Sequence, residues 1–207
     1  RGGLGELVEY QANTIAADMA RRLGGRYHLL HIPDGISEEA LEVLLASDSR
    51  LGKVIEMVKH ADVLVHGIGK AAAMAQRRGM DPAVVASIIK QGAVGEALGH
   101  YCALTGKVVH VTSSVGLTLN DLTGIGKVIA VAGGQTKAAA IVAVATAGGQ
   151  NVLVTDEAAA KAIQAGKILQ RIEGTITINF VLGGITKITI CLIFAARALA
   201  KLLNVNS

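Results

Sequence analysis

Four short segments carry the residues whose types and spacing suit chemistry: Arg1-Gly2-Gly3-Leu4-Gly5, His66-Gly67-Ile68-Gly69, Gly133-Gly134-Gln135-Thr136-Lys137 and Thr155-Asp156-Glu157. The first three are glycine-rich turns that each run into a helical pattern. Glycine at such a turn lets the main chain come close to a ligand, and the N–H groups at a helix start attract phosphate. Lys137 is the most pointed of these residues. A cation in the first turn of a helix opposes the helix dipole, and an anion held between its ammonium and the backbone amides reverses that sign. The competing reading is a solvent-directed lysine beside a turn that needs glycine for its geometry.

Other polar residues gain meaning only by position. Gln11 and Thr14 lie three apart on a helical stretch, so they share a face and either lean over the Arg1–Gly5 turn or stay solvated. Arg77 and Arg78 end a helical pattern, where cations suit the dipole. Glu96, set among small residues in Val94-Gly95-Glu96-Ala97, is either a surface carboxylate or an acceptor for sugar hydroxyls. Asp156-Glu157 reads as a helix cap.

Catalytic arrangements are hard to find. The chain has no G-x-S-x-G elbow, no P-loop and no complete G-x-G-x-x-G with a downstream ribose carboxylate. Its six histidines show no convergent metal pattern; His28 and His31, three apart in an extended stretch, face opposite sides. His100 and Cys102 share a face if extended, but nothing nearby completes an activated thiol. Core or surface packing accounts for these groups. Binding is therefore expected rather than catalysis, without a metal or cofactor. A net charge of +4 from scattered basic residues does not point to nucleic acid as the partner of this segment. Cys102 and Cys191, without C-x-x-C or Cys/His ligand spacing, suit a reducing cytoplasm.

The elements that must position these residues follow from hydrophobic pattern. Residues of about 6 to 23 read as an amphipathic helix stopped by Gly24-Gly25. Tyr27 to Ile32 reads as a strand ended by Pro33-Asp34-Gly35. Two helices follow, from Ser37 to Ala46 and from Ser49 to His60. Asp62 to Ile68 is a buried-strand pattern leading to a helix through Arg78, and Asp81-Pro82 is an N-cap and N1 pair for a helix to about Gln91. Lys107 to Val111, Val128 to Val131 and Asn151 to Val154 read as strands, the last two followed by helices. This alternation predicts an α/β fold with a mostly parallel, Rossmann-like sheet and helices on both faces. An apolar content of 51% with only 2% aromatics requires a core of Ala, Val, Ile and Leu, as such a sheet provides.

Residues 1–171 are expected to form this domain and residues 172–207 an apolar tail of a different character. Three readings of the tail compete: a non-native extension, a packed or oligomerising element, and a membrane anchor. Its longest uncharged stretch falls short of the ~18–20 residues of a spanning helix. Because the sequence opens at Arg1 inside a glycine-rich motif, the domain is expected to be N-terminally truncated, with at least one strand ahead of it.

The strings RGGLGELVEYQANTIAADMARR, VLVHGIGKAAAMAQRRG, GAVGEALGHY, VIAVAGGQTKAAAI and NVLVTDEAAA together resemble the effector-binding domain of the SorC family of sugar-responsive repressors, a DeoR-type group. The likeness runs collinearly over about residues 1 to 170. It implies a fold similar to ribose-phosphate isomerases and glucosamine-phosphate deaminases, and an effector that is a phosphorylated glycolytic intermediate such as fructose 1,6-bisphosphate. Carried over by motif, Arg1, Gly3, Leu4, Gly5, Gln11 and Thr14 would line the pocket, Arg77 and Lys137 would meet phosphate, and Glu96 would accept sugar hydroxyls. The family also carries a winged helix-turn-helix and, ahead of the position of Arg1, a strand with a Gly-Gly-Thr-Thr phosphate loop. Neither is among these 207 residues. Operator DNA is thus expected as a partner only through that N-terminal domain, alongside homo-oligomers and no membrane. Two alternatives stand beside this one: a sugar-phosphate isomerase or deaminase using Glu96 as base with Lys137 as electrostatic stabiliser, and a purely oligomerising module.

Overall fold

A computed structural model describes residues 8, 11–32, 36–112, 115–165 and 177–180. Arg1, Gly3, Leu4 and Gly5 lie outside the described residues, as does most of the apolar tail. The helices are α1 (Ala12–Arg22), α2 (Glu38–Ser47), α3 (Ser49–Lys59), α4 (Ala71–Arg77), α5 (Pro82–Lys90), α6 (Ala138–Ala147) and α7 (Glu157–Ala165). The strands are β1 (Val63–Gly67), β2 (Gly69–Lys70), β3 (Ala93–Ala97), β4 (His100–Ala103), β5 (Val108–Val111), β6 (Lys127–Val131), β7 (Val152–Thr155) and β8 (Thr177–Phe180).

The expected parallel sheet is present, in the order β1-β6-β7-β8. Its register sets Gly67 beside Val131 and Val131 beside Val154, so the carboxyl ends of three strands open on one edge. Helices cover both faces. Val128, Ala130 and Leu153 point inward to a cluster that includes Ile141 and Val144 of α6 and Ala159 and Ile163 of α7. The alternate residues Ile129, Val152 and Val154 pack outward against Met19 of α1 and Leu23 at its C-cap. This in/out alternation is the period-2 pattern of a strand buried on both sides. β8 brings residues 177–180 of the tail into the sheet, in parallel register with β7.

A second sheet, not expected from the sequence, is antiparallel in the order β2-β3-β4-β5. The stretch read as a strand at Lys107 to Val111 belongs here as β5. Helix α6 lies between the two sheets, and its sequence AAAIVAVATA explains the position: a helix apolar on every side is stable only when covered on every side. Ile141, Val142, Ala143 and Val144 are wholly buried. β3 approaches this helix closely because Gly95 has no side chain; a Cβ there would sit 2.6 Å from the Ala140 carbonyl oxygen. On the far face of this sheet, Ala71, Ala75 and Ile88 of α4 and α5 pack on Ala93 and Tyr101.

The stretch Tyr27–Ile32, expected as a strand, is not one. A strand needs a partner main chain, and here the backbone of Leu30 is met by a side chain: Asn13 Nδ2 donates to the Leu30 carbonyl (3.2 Å) and the Leu30 N–H donates to Asn13 Oδ1 (3.4 Å). Leu30 and Ile32 are nonetheless buried, so the apolar run does anchor the segment. Its hydrophobic pattern reports the burial of Leu30 and Ile32, but not the exposure of Tyr27 or the hydrogen bonding of the main chain.

Candidate functional site

Three turns follow the carboxyl ends of β1, β6 and β7, the edge where open parallel sheets gather ligands. Hydrogen bonds tie them in series. Lys137 sits in the 3-10 turn Gln135–Lys137 just ahead of α6, and its Nζ donates to the Ile68 carbonyl of the first turn at 3.2 Å. Asp156 Oδ2 accepts the Gly134 N–H of the second turn at 2.6 Å, while its Oδ1 accepts the Ala159 N–H at 2.8 Å. The carboxylate therefore caps α7, as the sequence suggested, and also tethers the neighbouring turn. Glycine is required twice here. Gly134 has φ +95°, and a Cβ on Gly133 would lie 2.6 Å from Asp156 Oδ2. The Gly134 amide is thus engaged by Asp156, which corrects the picture of Lys137 beside entirely bare amides: an anion at this turn must rely on the ammonium and on the first N–H groups of the 3-10 turn, those of Gln135 and Thr136.

Glu96 reaches the same edge from the second sheet. The two-stranded ladder sets it opposite Gly69, and the tight β3–β4 turn holds it in place. Leu98 (φ +50°) and Gly99 (φ +82°) both lie in the left-handed region, the geometry of a type I′ hairpin. Glu96 Oε1 accepts the Gly99 N–H at 2.6 Å and pairs with Arg78 Nη2 at 3.0 Å. Arg78 Nη1 donates to the Tyr101 hydroxyl at 3.0 Å, and that hydroxyl donates to Met80 Sδ. Glu96 is buried rather than at the surface. Burial works against the Arg78 charge, but the Glu96 carboxylate and the Tyr101 hydroxyl outweigh it and hold the guanidinium above its ordinary range. Cys102, wholly buried, is pushed up to about 11 by burial and the Glu96 charge, so its thiol stays protonated and inert.

Two buried polar atoms at this end of the parallel sheet have no hydrogen-bond partner among the described residues: His66 Nε2 on β1 and Thr155 Oγ1 on β7. Buried polar atoms are nearly always satisfied, so an orphan marks a place for an additional group. Burial, the largest influence, lowers the His66 pKa, and the nearby Glu96 charge partly opposes it.

Of the residues singled out from the sequence, Glu96 and Lys137 are both brought to the turn formed by residues 67–69. Gln11 is the N-cap residue of α1 and Thr14 lies in its first turn, both half-buried; α1 packs on the outer face of the parallel sheet. Arg77 is the exposed last residue of α4, and it is Arg78 that pairs with Glu96. Sequence reasoning placed His66 only within its glycine-rich turn and Arg78 only at a helix end, and it missed the pairing of Arg78 with Glu96 and the tethering half of Asp156. The available signal for His66 was its place as the last inward-facing residue before Gly67.

The fold defines an α/β domain whose parallel strands leave their carboxyl ends open along one edge, the place where such sheets gather ligands. More specifically, the chain belongs to the "sugar-binding domain" family, whose model matches residues 1–165. It is similar to the central glycolytic genes regulator of Priestia megaterium, 45% identical over 161 residues that cover 78% of this chain and 47% of that protein. The central glycolytic genes regulator of Bacillus subtilis is 47% identical over 161 residues, with the same coverage of 78% and 47%. The crystal structure of a "SorC family transcriptional regulator from Enterococcus faecalis" superposes with a TM-score of 0.72 at 42% identity, covering 79% of this chain and 66% of that one. The chain spans about half the length of the curated relatives it matches.

Proposed function

We propose that this chain is the effector-sensing part of a transcriptional repressor of glycolytic genes, and that it binds a phosphorylated sugar, fructose 1,6-bisphosphate, whose binding weakens the hold on operator DNA. The observation that carries the reading is the link from Lys137 to Ile68: it joins two glycine-rich turns and sets an ammonium beside the turn that Gly69 shares with Glu96. In this reading Lys137 and Arg77 meet phosphate, Glu96 accepts sugar hydroxyls, and Arg1, Gly3, Leu4, Gly5, Gln11 and Thr14 complete the pocket. Operator contact falls to a winged-helix part outside these residues, in a cytoplasmic homo-oligomer, with the effector biasing a two-state assembly.

A sensing role suits Glu96 better than turnover does. Two donors, the Gly99 N–H and Arg78, already fix its Oε1, which makes a well-placed acceptor rather than a base free to shuttle protons. Calorimetric titration with fructose 1,6-bisphosphate tests the reading. Lys137→Ala is expected to weaken binding by roughly tenfold or more, the worth of a charge-assisted hydrogen bond. Unchanged affinity in that variant removes Lys137 from the site, and turnover of ribose 5-phosphate or glucosamine 6-phosphate replaces the sensor with an enzyme.

A further inference from the structure

We propose that His66 is a further ligand-contacting residue of this site, and that its Nε2 accepts a hydrogen bond from a hydroxyl group of the bound sugar phosphate. The inference rests on the sugar-phosphate reading above and adds to it a group that selects for the polyol part of the ligand.

His66 is the last residue of β1 on the side of Leu64, the side that faces the layer between the sheets. It is only 7% exposed. Its Nδ1 lies 3.1 Å from the Gly67 carbonyl oxygen. A carbonyl can only accept, so the proton of the neutral ring sits on Nδ1 and Nε2 carries the lone pair. Burial favours that neutral ring by lowering its pKa. The fold thus keeps a buried acceptor with no donor among the described residues, immediately before the Gly67-Ile68-Gly69 turn and within electrostatic reach of Glu96.

The character of the two groups decides what enters between them. The Glu96 carboxylate and the neutral His66 Nε2 are both acceptors. A phosphate oxygen, another acceptor with negative charge, is repelled there, whereas a hydroxyl has a proton to give. The cation of the site, Lys137, lies across the turn with its ammonium on the Ile68 carbonyl. The arrangement orients a sugar phosphate with its charged end toward Lys137 and its hydroxyls toward Glu96 and His66. A site built to hydrogen-bond a substrate hydroxyl discriminates strongly against an analogue lacking it, because the buried partner is then left unpaired.

Two substitutions separate the two ring nitrogens. His66→Asn keeps a donor at the Nδ1 position and loses the acceptor, while His66→Gln places an amide oxygen near the Nε2 position. In titrations with fructose 1,6-bisphosphate, His66→Asn is expected to bind about tenfold more weakly, with His66→Gln restoring most of the loss. Inorganic phosphate, which has no sugar hydroxyl, is expected to compete equally well in all three proteins. Should either variant fail to fold, the wild-type protein labelled with 15N-histidine carries the test: the His66 Nε2 resonance is expected to shift on adding the sugar phosphate. Wild-type binding with equal affinity in His66→Asn, or with an unmoved Nε2 resonance, assigns the orphan atom to a structural water only and overturns the inference while leaving the sensor reading intact. No binding by the wild-type protein overturns both.

Discussion

Arg78 Nη2 and Glu96 Oε1 are 3.0 Å apart, and their side chains are only 12% and 4% exposed. Arg77, one residue earlier, is exposed at the end of α4. A helix turns about 100° per residue, so of two adjacent arginines only one can face the second sheet. Removing one partner of a buried pair strands the other charge, at a cost of about 3–5 kcal/mol. Arg78→Ala is expected to lower stability by that order in urea denaturation, and Arg78→Ala combined with Glu96→Gln by less than the single change. Arg77→Ala is expected to stay within about 0.5 kcal/mol of wild type, as an exposed substitution should.

Asp156 joins two elements with two oxygens, the Gly134 N–H on one side and the Ala159 N–H on the other. Loss of a helix cap alone costs about 0.5–2 kcal/mol, and the tether adds the penalty of an unmet amide. Asp156→Ala is expected to destabilise by about 2 kcal/mol and to speed amide exchange at both Gly134 and Ala159. Faster exchange at Ala159 alone shows that the carboxylate acts only as a cap.

These two carboxylates show which parts of the molecule the sequence discloses. The parallel sheet was legible because β1, β6 and β7 are apolar runs spaced by helical patterns, and the caps at Asp81 and Asp156 because local residue order dictates them. Asp81 Oδ1 does accept the Ala83 N–H at 2.7 Å, with Pro82 opening α5. The second sheet was not legible. AVGEA and HYCA are short, lack the alternation of a half-buried strand, and pair through a turn whose first residue is Leu98, a residue type that gives no hairpin signal at positive φ. Glu96 could be singled out by its small neighbours but not recognised as buried, since its partner Arg78 comes from a separate element. Adjacent residues of one helix end, such as Arg77 and Arg78, are separated only by tertiary packing.

Asn13 substitutes for a neighbouring strand at Leu30, and that role is testable apart from ligand binding. Asn13→Ala removes both hydrogen bonds that hold Leu30, leaving the buried Leu30 and Ile32 as the apolar anchors of residues 26–32. Arg26 is exposed in this segment. Cleavage by trypsin after Arg26 is expected to accelerate several-fold in the variant, in proportion to the opened population, with little change in the unfolding midpoint. Equal cleavage rates would show that the apolar anchors suffice.

The same burial that keeps His66 neutral makes the domain sensitive to acid. The pKa of His66 in the fold lies below the 6.5 of a free histidine, so between the two values the unfolded chain binds a proton that the folded chain does not. Stability then rises with pH through this window and falls as the pH drops from about 6.5. Once the pH is below both values, the loss amounts to about 1.4 kcal/mol for every tenfold by which folding weakens the ring's hold on its proton. His66→Gln removes this titration. Urea unfolding free energies measured between pH 7.5 and 5 are therefore expected to slope less steeply in His66→Gln than in the wild-type protein. A bound sugar hydroxyl on Nε2 stabilises the neutral ring further, so saturating effector is expected to steepen the pH slope of the wild-type protein more than that of His66→Gln. An identical slope in both proteins, with and without effector, would place the acid sensitivity in the carboxylates instead.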